Sequence, residues 1–292
     1  MDSTRSQARW AGLLYGIASS LAPFAYLYVP DRLMVEGDAL ATADRVRASE
    51  GLLRAAIAAE LYGVTVLLFA TLALYELFKR VDQRTAGVMA AMMLVSVPIS
   101  YVNVLNHIAP LVFLKSPAIA AVLDPGQIAA QVTLFLRLHN YGLVINQIFW
   151  GLWLFPIGVL IMRSGFISRW LAYPLFFAGA GYVINSLGTL LLPPSLRWIT
   201  ENLLILGVGE LPFFSLYLLI WGVRGHAVDR PAALLVLTSL VLGMASVVLL
   251  LFKRIDAIQY AALVLASLVA IIGLVLRWRW SESSARTAGA AA

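Results

Sequence analysis

FLRLHNYGLVINQ, Phe135 to Gln147, sets Arg137, His139, Asn140, Asn146 and Gln147 within a sequence otherwise apolar enough to lie in lipid. Polar groups at bilayer depth are costly, so they face a bundle interior or a water-filled cavity and mark function. Upstream, LDPGQ has the form of a helix start, with Asp124 as N-cap, Pro125 at the first helical position and Gln127 three residues after the cap. A helix running from there to Met162 has about 38 residues and a length of about 57 Å, against a hydrocarbon core of about 30 Å. Its first turns must therefore project, tilt, or bend near Gly142, which puts Arg137 and His139 close to the outer boundary.

Composition gives this stretch its setting. Of 292 residues, 61% are hydrophobic and 12% charged, with a mean hydropathy of +0.88. A soluble core cannot hide that much apolar surface, so the chain is expected in the lipid bilayer. Apolar runs near the roughly 20 residues of a membrane-crossing helix recur along its length, and no strand-like alternation competes with them. The absence of cysteine removes disulfides, thiolate metal sites and Cys nucleophiles. The net charge of +6 comes mainly from basic pairs at the ends of apolar runs. That is topology and headgroup contact, so no nucleic-acid partner is expected.

The expected fold is an all-α polytopic bundle of about eight spans. A cytoplasmic segment, 1–8, precedes a six-span core, 9–223; a two-span hairpin, 232–277, and a disordered cytoplasmic tail, 278–292, follow. The first span begins at Trp10 and reads as a retained signal anchor. Pro30 to Gly51 is a mixed-charge connector in which Asp38 caps a short amphipathic helix. The second span, about Arg54 to Phe78, carries Glu60, and Glu76 is placed to pair with Arg80. The third, about Ala86 to Ala109, carries Asn103, Asn106 and His107 and is ended by Pro110. The fifth, about Trp170 to Leu192, holds Tyr182, Asn185 and Ser186, and the sixth, about Leu203 to Val223, holds Glu210. Basic turns at Lys79 to Arg84, at Arg163 to Arg169 and at Arg224 to Arg230 place both termini in the cytoplasm.

With that topology Glu60, Asn103, His107, His139, Asn185 and Glu210 fall at one depth in the outer half of the membrane. Five helices placing costly groups in one layer point to a shared, outward-facing polar pocket, with Arg137 and Tyr141 at its wall. The bland alternative for each is an interhelical hydrogen bond, and it weighs most for Asn146, Gln147 and Asn185. His107, His139, Glu60 and Glu210 are acceptable ligand types, but no HExxH-like spacing supports a metal and none is assigned. No GxSxG suggests a serine triad, and catalysis and cofactor stay open.

FLRLHNYG, the start ARWAGLLYG, the turn MRSGFISRWL and the segment GAGYVINSLGTLLLP together resemble the bacterial domain-of-unknown-function family numbered 4386, over roughly Arg9 to Gly222. The resemblance implies a multipass membrane fold and no established activity. It places Glu60, Arg137, His139, Tyr141, Tyr182, Asn185 and Glu210 at or beside the family's polar positions. INS here supplies an amide where the family pattern carries an acid.

Two functions are open on this reading. In one, the pocket takes a small amphiphilic or lipid-like ligand, Arg137 holds its anionic group, and His139 with Glu210 or Glu60 moves protons. In the other, the chain is an accessory subunit that docks on membrane-complex partners through small residues of the C-terminal hairpin, such as Gly243 and Gly273.

Overall fold

The computed structural model describes residues 2–196 together with Phe214, Tyr217 and Leu218. Among these there is no strand. The elements are α1 (Asp2–Pro23), a π-helical turn (Phe24–Tyr28), α2 (Val29–Leu33), α3 (Ala39–Ala48), α4 (Glu50–Phe78), α5 (Gln83–Lys115), α6 (Pro117–Ala120), α7 (Pro125–Ser164) and α8 (Ala172–Leu191). Five stretches are long and apolar enough to cross a membrane: Ser6–Leu33, Glu50–Phe78, Gln83–Lys115, Pro125–Ser164 and Arg169–Leu191. They coincide with the first five expected spans. The expected sixth span with Glu210, the hairpin 232–277 and the tail lie outside the described residues.

Local chemistry sets the helix ends. Asp124 accepts the Gln127 backbone N–H at 2.9 Å while the Gln127 side chain accepts the Asp124 N–H at 3.0 Å, so the anticipated capping box closes in full. Asp38 likewise accepts from Ala41 N–H at 2.9 Å and opens α3. That amphipathic helix buries Thr42, Ala43 and Val46 and packs against α7, so the connector is part of the packed structure.

Two expectations need correction. Pro110 does not end α5, which continues to Lys115 and stops where Ser116 turns extended ahead of Pro117. A proline is tolerated inside a membrane helix because neighbouring groups re-satisfy the backbone it frees. Glu76 pairs with Lys79 at 2.6 Å instead of Arg80. The reason is that α4 ends at Phe78, so Arg80 lies beyond the helical spacing that would bring it round.

α7 is the central helix, an unbroken 40-residue rod through Gly142 that packs on α3, α5 and α8. Its contact with α8 is a backbone contact, since a Cβ on Gly151 would lie 2.5 Å from the Gly179 carbonyl and one on Gly179 would lie 2.8 Å from the Gly151 carbonyl. Small residues permit this approach, which substitutes for the hydrophobic drive that lipid removes. α1 packs on α4, and α4 on α5. The fully buried Tyr15, Leu74, Met89, Met93, Leu154 and Phe214 belong to one apolar core.

Candidate functional site

Polar residues recur along α5 at Ser96, Ser100, Asn103 and His107, a spacing that keeps all four on one helix face. α7 answers in the opposite direction with Trp150, Asn146, Gly142 and His139. Trp150 Nε1 donates to Ser96 Oγ at 2.9 Å, and Asn146 Nδ2 to Ser100 Oγ at 2.7 Å. Asn103 Nδ2 donates to the His139 carbonyl at 2.9 Å, with its own Oδ1 held by Asn106 Nδ2 at 3.0 Å. At the end of the row the His107 and His139 rings stack with centroids 3.4 Å apart and planes 15° apart.

Glu60 reaches this pair from α4. Its Oε2 lies 2.8 Å from His139 Nε2 in a hydrogen bond, and its Oε1 lies 2.8 Å from His107 Nδ1. The second approach is off the line a hydrogen bond needs, so Oε1 and His107 Nδ1 meet without forming one. All three residues are buried, Glu60 at 4%, His107 at 2% and His139 at 0% exposure. Among the described residues no Lys or Arg pairs with Glu60; its neighbours are the two imidazoles. A donor atom from each of the three lies within 4.8 Å of the others.

Of the residues singled out in the sequence, Glu60, Asn103, His107 and His139 come together in this cluster. Asn185 is buried on α8, where its Nδ2 donates to Gln147 Oε1 at 2.8 Å, making it an interhelical bonder about two turns along α7 from His139. Arg137 and Tyr141 are both exposed and stand outside this buried cluster. Each is two residues from His139, about 200° around the helix, so neither can share its face. Glu210 lies outside the described residues.

Glu60 also lines a cavity of about 320 Å³ between α1, α4, α5, α7 and α8. Tyr15, Leu67, Met93, Trp150 and Trp153 form its apolar wall, while Tyr26, Ser100, Asn140 and Gln147 bring polar groups to it. Tyr26 comes from the π-helical turn and stacks on Trp150 with ring centroids 6.0 Å apart. Single-turn π segments are frequent at functional sites. The sequence reading had not placed Tyr26, Ser100 or Trp150 in the site. The signal for Ser100 was present, because it shares a helix face with His107 seven residues on.

A buried carboxylate between two imidazoles, beside an apolar cavity and carried by helices long and apolar enough to cross lipid, belongs to a multipass helical membrane protein with a buried His–Glu cluster. A family model described as "Domain of unknown function (DUF4386)" matches residues 10–222, and the chain belongs to that family. The chain is also similar to an uncharacterized protein of Archaeoglobus fulgidus, at 40% identity over 43 residues, which is 15% of this chain and 26% of the relative. The chain thus covers about a quarter of that relative's length. No solved structure matches it.

Proposed function

We propose that this protein binds a small, largely apolar molecule bearing one polar group, in the cavity beside Glu60. The observation that supports this is the cavity itself: its volume of about 320 Å³ falls in the range of ligand pockets, and its wall is aromatic and aliphatic with a few convergent polar groups. The apolar body packs on Tyr15, Met93, Trp150 and Trp153, and the polar end meets Glu60, Ser100, Asn140 and Gln147. Arg137, expected to hold an anionic group, is exposed and does not line this cavity, so the polar contacts of this reading are made without it. With the basic turns on the cytoplasmic side of a bacterial inner membrane, the cavity belongs to the outer half of the bilayer.

The test is native mass spectrometry and lipid extraction of the gently purified protein. A retained small molecule is expected, and Gly63→Leu should lower its occupancy about tenfold or more by filling the cavity. A Cβ at Gly63 meets Ala18 and Leu21 at ordinary contact, 3.8 Å, so the new side chain enters without a clash at its root, and a melting curve beside wild type is the control for folding. If the wild type releases nothing but bulk lipid in the same proportions as the Gly63→Leu protein, the reading is wrong.

A further inference from the structure

We propose that Glu60, His107 and His139 hold one divalent transition-metal ion of the zinc class, with a remaining coordination position facing the cavity that Glu60 lines. Three different helices, α4, α5 and α7, deliver one residue each to a single buried point, and each offers a donor atom within 4.8 Å of the other two. This inference is independent of the ligand reading, since a metal can sit there whatever occupies the cavity.

The donors are poorly used without an ion. Glu60 Oε1 and His107 Nδ1 stand 2.8 Å apart without hydrogen-bond alignment, and His139 Nδ1 is buried with no hydrogen-bond partner among the described residues. Buried polar atoms are normally satisfied, so the misaligned Glu60 Oε1 and His107 Nδ1 at the point where the three residues meet require an explanation. A cation supplies it. Donors around a tetrahedral zinc ion at about 2.0–2.1 Å stand roughly 3.3 Å apart, so binding draws the Glu60 oxygens back from 2.8 Å and splays the two stacked imidazoles until both ring planes meet at the ion.

Charge is compatible with the same ion. No Lys or Arg among the described residues pairs with Glu60, so the charge of its carboxylate is balanced either by a proton shared within the cluster or by a bound cation. A divalent cation on the ionised carboxylate leaves a single positive charge, which a hydroxide or the anionic end of a ligand can neutralise from the cavity. Two imidazole nitrogens and one carboxylate oxygen suit zinc, iron, manganese or nickel, whereas calcium and magnesium prefer all-oxygen sites. Three protein ligands with an open position is the arrangement of catalytic, not structural, zinc. The backbone under His139 is pinned by Asn103, which is itself held by Asn106, so the ligand set is built on fixed elements.

The experiment uses the full chain, carrying an affinity tag free of histidine, purified in detergent. Elemental analysis should find about one transition-metal ion per chain. After chelation, Co²⁺ alone should rebind and give a visible spectrum of nitrogen and oxygen ligation, displaced by Zn²⁺. Glu60→Gln and His139→Gln should each weaken Co²⁺ binding about 100-fold or more, while His226→Ala, at the only other histidine in the chain, should leave it unchanged. Should a variant fail to fold, X-ray absorption of the wild type alone decides, with two imidazoles and a carboxylate expected in the metal shell. Folded wild-type protein that neither retains a metal nor binds Co²⁺ or Zn²⁺ would overturn the proposal, leaving a hydrogen-bonded triad. So would binding that survives both Glu60→Gln and His139→Gln.

Discussion

At Gly142 a single hydrogen atom decides whether two helices can meet. A Cβ there would overlap the Asn103 side-chain amide, and that amide carries the bond to the His139 carbonyl. Gly142→Ala should therefore cost about 1–3 kcal/mol of stability, the usual penalty for forcing an extra methyl into a packed interior. Gly87, on α5, has nothing within 4 Å of its Cβ position, and Gly87→Ala should gain about 0.5–1 kcal/mol through helix propensity. Reversible unfolding in mixed micelles separates the two. At this scale the sequence carried depth better than direction. Glu60, Asn103, His107 and His139 were legible as one layer, because span order fixes how far each residue lies along its helix. Which way each side chain turns was less legible, and Arg137 and Tyr141 drew attention by polarity although their two-residue offset from His139 turns them away.

Among the elements, helix ends are where the sequence spoke most directly, since a cap is a local contract between residues three apart. Asp124→Ala should cost about 1 kcal/mol and speed hydrogen exchange in the first turn of α7, leaving the membrane-embedded turns protected. Asp82 does more than cap. It accepts the Thr85 N–H at 3.1 Å and the Thr85 hydroxyl at 2.9 Å, and it pairs across to Arg163 near the end of α7. The Thr85 bonds, with the Arg163 charge, hold its carboxyl below the ordinary range. A depressed carboxyl stabilises the folded chain above its unfolded pKa, about 3.9, and loses that contribution as pH falls through the folded value. Wild type should accordingly melt above Asp82→Asn at neutral pH, and the gap should close on acidification below pH of about 4. A gap that persists undiminished at low pH would mean that the carboxylate charge is not its source. The exchange of Arg80 for Lys79 as the partner of Glu76 was not legible, because it depends on α4 stopping at Phe78.

Across the whole molecule, the helices that supply Glu60, His107 and His139 are also the ones the packing ties together, α4 to α5 and α5 to α7. Metal bound there should behave as a cross-link among three spans. At a free concentration of 100 times its Kd it should add about 2.7 kcal/mol, seen as a rise in melting temperature that chelation removes. His139→Gln protein should show no such rise. The bundle order was accessible from hydropathy and basic turns; the pairing of α7 with α5 was not, since apolar lengths contain no register. Register came from the polar row, of which the sequence reading named Asn103, His107, His139 and Asn146 but not Ser96, Ser100 or Trp150.

That row has a mechanical consequence. Positions 96 with 150, 100 with 146 and 107 with 139 step in opposite directions together, so sliding α5 along α7 by any fraction of a turn breaks every rung at once. The two helices act as a latched rail, in a medium with no water to heal a broken rung. Piston-like motion between them is thereby closed off. Whatever movement admits a molecule to the cavity has to come from elements outside the rail; of these walls α4 is tied to α7 by Glu60 and His139 and α8 by Asn185 and Gln147, so α1 is the wall that is left to swing.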